Sequence, residues 1–323
     1  MKEIGGYLEL ERIGGREYYP GLLKYNLGRT AAADFLKKAG AKKIWLPYFL
    51  CASVTDTLKK YGFELYFYHI DKEFVPVRDE YPHYLRSDEW LYLNNAYGQL
   101  SNEIITDFKD RIENVLVDNT HAFFQEPVYG VDTYYSVRKY FGVSDGAYLY
   151  TKKNIALPEE TDLSNGRYSH ILGRFEESAS AHYQEMLNTA HGYENEKPKK
   201  MSLLTKELLG AVDYEAAASS RSKNFAVLHE LLGTKNRFAK YLKVPEKGPF
   251  VYPMLVDDGI KIRKLLAAEK IFVPTYWSNL IDECEKDTVE YDYARNMLAL
   301  PVDQRYGEEE MRRVAEAVKA LLQ

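Results

Sequence analysis

Asn114-Val115-Leu116-Val117-Asp118-Asn119-Thr120-His121 is an apolar run that ends on a carboxylate. A short continuous apolar run bounded by polar residues reads as a strand buried on both faces of a parallel sheet. In open α/β sheets ligands bind beyond the carboxyl ends of the strands. Asp118 is therefore placed to hold a cationic group such as a protonated ring nitrogen. The same residue also reads as a plain loop aspartate or a helix cap. Outward from this run the chain alternates. Helices are predicted from Arg29 to Ala39 and from Ala52 to Tyr61, stopped by Gly40 and Gly62; glycine suits the left-handed cap. Strands are predicted at Lys43 to Leu46, Glu64 to Ile70, Trp90 to Asn94, Thr133 to Ser136 and Ala147 to Thr151, with a helix closing over Asp107 to Ile112. Such alternation predicts an α/β fold with a mostly parallel or mixed sheet and helices on both faces.

Helical pattern dominates from about 168 to 241, broken by the charged stretch from Glu194 to Lys200. After Gly248-Pro249 the pattern resets to strand (Phe250 to Val256), helix (Ile260 to Ala268), strand (Ile271 to Val273), helix (Val289 to Asn296), strand (Met297 to Leu300) and a last amphipathic helix (Glu308 to Leu322). The expected division is an arm or strand over 1–20, lying near the small domain, a large domain over 21–245 and a small α+β domain over 246–323. No repeat or low-complexity segment interrupts it.

Composition narrows the function classes. The 323 residues are 46% apolar and 28% charged, enough for a sizeable core in a soluble protein, with a formal net charge of −5. No Lys/Arg block suggests a nucleic-acid arm, and no run of about 18 apolar residues suggests a membrane span. Cys51 and Cys284 are the only cysteines, without metal-type spacing. Met1-Lys2-Glu3-Ile4-Gly5-Gly6 lacks the apolar core of a signal peptide, so a reducing cytoplasm is the expected setting. The 28 tyrosines fall largely in strand-like runs such as Glu64-Leu65-Tyr66-Phe67-Tyr68, where they read as packing residues with a polar tip.

Two further segments can carry chemistry. In Tyr135-Ser136-Val137-Arg138-Lys139-Tyr140-Phe141, Lys139 follows a strand and is flanked by aromatics. Apolar surroundings or a neighbouring cation such as Arg138 promote loss of a lysine proton and make the amine a nucleophile. By itself a loop lysine also reads as a solvated one. In Asn26-Leu27-Gly28-Arg29-Thr30-Ala31 a glycine opens a helix, whose free N–H groups suit a phosphate; ordinary capping reads the same way.

In order, these segments give a phosphate-binding helix start, an aspartate ending a strand, and a lysine beyond it. That order resembles the fold-type-I pyridoxal-phosphate enzymes and, more narrowly, the DegT-type sugar aminotransferase family, from about Tyr25 to the C-terminus. Gly28-Arg29-Thr30-Ala31 is similar to the family's Gly-Thr-Ala-Ala helix start. Leu46-Pro47-Tyr48-Phe49-Leu50-Cys51-Ala52-Ser53 is similar to its Pro-x-x-Thr-aromatic loop, and Ala96-Tyr97-Gly98 to a strand end. Asp118 with His121, Lys139 with Asp145-Gly146, Arg221 with Asn224, and Leu300-Pro301 complete the match.

The resemblance implies a large three-layer domain plus a small α+β domain, and an aminotransferase with pyridoxal 5'-phosphate held by Lys139 as a Schiff base. It implies Asp118 on the ring nitrogen, His121 near the ring or its 3-hydroxyl, and Gly28, Arg29, Thr30 and Ser136 at the phosphate. Cys51 takes the position of the ring-stacking aromatic, which Phe49 or Tyr48 would replace. A keto sugar, nucleotide-linked, would be the acceptor, glutamate the donor, and a homodimer the assembly. Independently of the resemblance, the aromatic loops at Tyr48-Phe49 and Tyr134-Tyr135 read as interface rings beside the site, or else as rings that fill the core under the sheet. There are departures. Ser136 stands three residues before the lysine, where the family has its serine five before it. The asparagine donated across the dimer has only Asn195 as a distant counterpart. The other readings are a different pyridoxal-phosphate reaction on a small amine or amino acid, and a non-catalytic cofactor-binding regulator. Lys139 weighs against the dehydratase branch, which carries histidine there.

Overall fold

Side chains alternate across each strand, so one strand feeds two cores. In the computed structural model, which describes residue 4 and residues 6–322, this alternation sorts the central sheet cleanly. Leu91, Leu93, Val115, Val117, Tyr135 and Tyr148 face one core; Trp90, Tyr92, Leu116, Tyr134, Ala147 and Leu149 face the other. The strands are β1 (Leu23–Tyr25), β2 (Lys43–Pro47), β3 (Glu64–Tyr68), β4 (Glu89–Asn94), β5 (Val115–Asp118), β6 (Asp132–Ser136) and β7 (Ala147–Tyr150). They form one sheet in the order β1-β7-β6-β5-β4-β2-β3. From β6 to β3 every pairing is parallel, and β7 runs antiparallel to both of its neighbours. The fold class is therefore α/β with a mostly parallel sheet.

Helices α1 (Gly28–Lys38) and α2 (Ala52–Lys60) connect the early strands and cover the Tyr92 face, to which α1 gives Ala31, Ala32, Phe35 and Leu36. Helix α3 (Asn102–Arg111), capped by Ser101 on the Ile104 N–H, packs Ile105 and Phe108 into the other core. Then follow α4 (Ser169–Glu176), α5 (Tyr183–Gly192), α6 (Leu203–Gly210) and the long α7 (Tyr214–Leu232). A second sheet pairs β8 (Val251–Leu255) with β9 (Met297–Pro301) antiparallel. Its core takes Ile262 and Leu266 from α8 (Gly259–Ala268), Met311, Val314 and Val318 from the last helix, and Phe225, Leu228 and Leu232 from α7. Two short helices, α9 (Leu280–Glu283) and α10 (Val289–Asn296), precede β9, and α11 (Glu308–Leu321) follows it. Helix α7 thus serves both cores, since Ala217 and Ala218 lie in the large one.

Two expectations are corrected. Ile271 to Val273 is not a strand. Lys270 turns the chain with φ of 61°, Ile271 and Val273 insert into the small core, and Phe272 points out. That gives strand-like alternation without a ladder, and Pro274 has no N–H to extend one. Of the N-terminal arm, residues 1–3 and 5 lie outside the described residues, and among the described residues no strand precedes β1. The arm runs along the large unit: Arg12 pairs with Glu207 of α6 at 3.1 Å, and Tyr19 enters the large core. No described helix is long and apolar enough to cross a membrane.

Gly146 ties the site's segments together. Its N–H donates to Asn26 O at 2.5 Å and its carbonyl accepts from the Val137 N–H. Its φ is +120°, and a Cβ there would lie 2.5 Å from Val137 Cγ2. Gly146→Ala should lower stability by about 3 kcal/mol, combining backbone strain with overpacking. Urea unfolding measures this, and a loss below about 1 kcal/mol would contradict the packing described.

Candidate active site

Asp118 ends β5 on the same face as Leu116, because side chains two apart share a face. Parity brings Tyr92 of β4 and Tyr134 of β6 to that face too, and Tyr134 is the direct register partner of Asp118. Tyr92 donates to Asp118 Oδ2 at 2.7 Å and Tyr134 donates to the same oxygen at 2.6 Å. The Thr120 N–H donates to Oδ1 at 2.8 Å. A carboxylate offers about four lone-pair positions, so one remains, on Oδ1. Burial, and then the negative charge of Asp118, push both phenols well above the ordinary tyrosine value. They stay neutral donors and fix the carboxylate in place.

Lys139 lies in a short 3₁₀ turn over Val137–Lys139 directly after β6. It is exposed to the cleft, yet the protein around it is dense. Burial lowers its pKa below the lysine value of 10.5; Arg138 adds to that, while Cys51 and Asp118 oppose it. Its ammonium sits 4.9 Å from the Tyr276 ring centroid. A depressed pKa enlarges the neutral, nucleophilic fraction at any pH below it. The rate of covalent capture of an aldehyde by Lys139 should therefore rise with pH and reach half its maximum below pH 10.5, the value of an unperturbed lysine. A midpoint at or above that value, in stopped-flow absorbance, would contradict the depression.

His121 is buried, and among the described residues its Nδ1 has no hydrogen-bond partner. It stacks on Phe250 at 4.2 Å and lies parallel to Tyr97 at 5.6 Å. Burial, then the nearby Lys139 charge, hold it well below the usual histidine value, so it is neutral. Aromatic rings pack around it, and Nδ1 is its unpartnered polar atom among the described residues.

Helix α1 begins at Gly28, where a Cβ would come 3.0 Å from Tyr134 Cε2 and 3.5 Å from Ser136 Cβ. The missing side chain lets the helix start approach β6 beside the Asp118 cluster. The N-cap Leu27 supplies no side-chain cap, and the first backbone bond is donated by Ala31 to Leu27 O at 3.0 Å. The N–H groups of Gly28, Arg29 and Thr30 thus lie ahead of the helical ladder. The Thr30 hydroxyl is turned inward, donating to Asn26 Oδ1 and Leu27 O, so only its backbone faces a ligand. Arg29 donates to Tyr193 O. Cys51, at the start of α2, lies within electrostatic reach of both Lys139 and Arg29. The rings offered in its place already have partners: Phe49 packs on Trp277 at 4.3 Å, and Tyr48 stacks on Phe67 and His69. Asn195 is exposed and accepts from Lys60. Sequence reasoning missed Tyr92 and took Tyr134 only for an interface ring; it missed Tyr193 and Tyr276 as well. Strand parity with Asp118 is the signal for the first two.

Arg221 stitches the small unit to the lysine turn. Its guanidinium donates to the carbonyls of Pro249, Phe250 and Tyr140, each at 3.2 Å, and to Gln304 at 2.7 Å. Asn224 holds the carbonyls of Val302, Asp303 and Tyr306. Asp145 is fully buried and accepts from the Ser202 N–H, the Ser202 hydroxyl and the Thr205 hydroxyl. It is a structural anchor for the turn. Among the described residues no cluster of His, Cys, Asp or Glu suits a metal ion.

No protein-family model matches the sequence, and no curated protein matches it. Solved structures do. The Streptomyces venezuelae enzyme DesV, solved with a ketimine intermediate, superposes with a TM-score of 0.64 at 13% identity, over 93% of this chain and 84% of its own. Helicobacter pylori PseC, an aminotransferase of pseudoaminic acid biosynthesis, gives 0.62 at 13%, over 93% and 86%. A NifS-like protein gives 0.56 at 14%, over 94% and 83%. At these identities the likeness is one of fold.

Proposed function

We propose that this chain, which has the fold of the fold-type-I pyridoxal-phosphate enzymes and of the DegT-type sugar aminotransferases among them, is a pyridoxal-phosphate-dependent aminotransferase. The observation that carries the reading is the proximity of Lys139, a buried strand-end carboxylate and a bare helix start, which Tyr134 and the end of β6 bring together. These fit the cofactor's three handles: an aldehyde for Lys139, a ring nitrogen for the remaining lone pair of Asp118, and a phosphate for the N–H groups of Gly28, Arg29 and Thr30.

When bound, the cofactor supplies an electron sink for the carbon that bears the amino group. The chain supplies position and proton traffic. Tyr92 and Tyr134 hold Asp118 in place as the acceptor for the ring nitrogen. The Lys139 amine, lowered by burial, takes and returns a proton within the cleft. His121, neutral and packed against Tyr97 and Phe250, offers its Nδ1 edge to a ring substituent. Tyr276, over the Lys139 amine, takes the covering role that Cys51 lacks the ring to fill, and excludes water there.

The acceptor in this reading is a nucleotide-linked keto sugar and the donor is glutamate, by analogy with relatives of the same fold. Protein loaded with the amine form of the cofactor tests the acceptor. Return of the aldehyde absorbance with nucleotide-4-keto-sugars is expected; return only with small 2-oxo acids would contradict the sugar half.

The reading includes a homodimer, on changed grounds. Of the two sequence readings of Phe49, Tyr134 and Tyr135, interface rings or core rings, the second holds: all three are buried in the core. Helices α4 and α5 instead bury none of their residues and expose Leu172, Phe175 and Tyr183. Light scattering at micromolar protein checks this: a dimer is expected, and a fully active monomer would contradict it.

A further inference from the structure

Two guanidiniums beside the start of α1 lack a counter-ion. Arg138 directly precedes Lys139, and its Nε is buried without a hydrogen-bond partner. Its Cζ lies 4.2 Å from the centroid of the Tyr193 ring. Arg29 reaches the same residue through its backbone, donating from Nη2 to Tyr193 O at 2.5 Å. Among the described residues neither has a carboxylate within ion-pair distance. Burial disfavours the charge of both, and the Arg29 charge further disfavours that of Arg138. Arg167, the third cation at this ring, is different: Asp162 neutralises it at 2.5 Å. Tyr193 is itself locked, its hydroxyl donating to Ser144 O. The two arginines are therefore held by a rigid backstop with nothing negative to bind.

Largely buried cations without an anion are strongly disfavoured, so the arrangement is completed by a ligand. Three features set its class. The two guanidiniums match a doubly charged group and can each offer paired N–H donors to its oxygens. The N–H groups at the start of α1 add anion-binding dipoles to the same spot. Ser136 Cβ lies 3.5 Å from where a Gly28 Cβ would be, so the strand end carrying Ser136, Arg138 and Lys139 abuts that helix start.

We propose that Arg138, together with Arg29, clamps the phosphate ester of the cofactor against the start of α1. The inference rests on the proposed function and adds a binding residue to it. The clamp compensates for the displaced serine: Ser136 stands three residues before the lysine, and Arg138 immediately before it. Because Arg138 and Lys139 are adjacent, one turn of chain grips both the phosphate and the aldehyde end of one molecule.

The test compares two probes on cofactor-stripped protein, pyridoxal 5'-phosphate and pyridoxal, which lacks the phosphate, by absorbance titration. Arg138→Met should weaken pyridoxal 5'-phosphate by about 100-fold, the usual scale for truncating one side of a buried charge pair. It should leave pyridoxal within about 3-fold, since RT ln 3 is below the strength of one hydrogen bond. Arg138→Lys should recover part of the loss, because it keeps the charge without the fork. Arg29→Met, a second variant on a different element, should also weaken only the phosphorylated probe. If wild type binds both probes and these variants lose them equally, or lose neither, the clamp is overturned while the proposed function stands. If wild type binds neither probe, the proposed function fails and the clamp with it.

Discussion

Lys139→Ala should give a folded protein that retains no cofactor after borohydride reduction. The side chain is exposed to the cleft, and its contact is a cation–π approach to Tyr276. Removing it leaves no buried partner unsatisfied, so stability should change by about 0.5 kcal/mol or less. The chemical loss is of another order. The amine is both the covalent anchor and the proton carrier, and losing acid–base catalysis alone costs about 10²- to 10⁴-fold. Intact-mass measurement after reduction reads the first effect directly. An adduct of undiminished yield on the alanine variant would show that another amine holds the cofactor.

Asp118→Asn should keep the cofactor covalently attached while turnover falls by about 10²- to 10⁴-fold. The estimate takes about 3–5 kcal/mol for breaking a buried charge pair and converts it to rate. Asparagine is the right substitution, and the structure says why. Read from sequence, a strand-end carboxylate contributes little to the core, and alanine would isolate its chemical role. In the fold Asp118 accepts from Tyr92, Tyr134 and the Thr120 N–H. Alanine would orphan two buried hydroxyls, at about 1–3 kcal/mol each, and confuse folding with catalysis. A folded asparagine variant with near-wild-type turnover would refute the role of Asp118 at the ring nitrogen.

The difference between those substitutions shows what the sequence carries. The run ending at Asp118 and the glycine-led start of α1 are local patterns, and local patterns survive into the fold because parity and helix capping act within a few residues. Tyr92 was legible in principle, since it shares a face with Asp118 once the register of β4 on β5 is known. Register is a long-range property, fixed by neighbouring strands rather than by the run itself. Tyr276 and Tyr193 carry no local signal at all: they reach the lysine and Arg138 only through packing between segments far apart in sequence. Ile271 to Val273 failed for the opposite reason. Its alternation is real, but it records insertion into a core, and no strand offers it a ladder.

The most direct test of the central claim is a single half-turnover. Cofactor-loaded protein is mixed with L-glutamate, with no acceptor present, and the absorbance of the aldehyde form is followed while 2-oxoglutarate is counted. Amino transfer through Lys139 and Asp118 predicts loss of the aldehyde absorbance, gain of the amine form, and one 2-oxoglutarate for each cofactor converted. A fully loaded, folded protein whose cofactor stays in the aldehyde form with glutamate and with every other amino donor tried would contradict it.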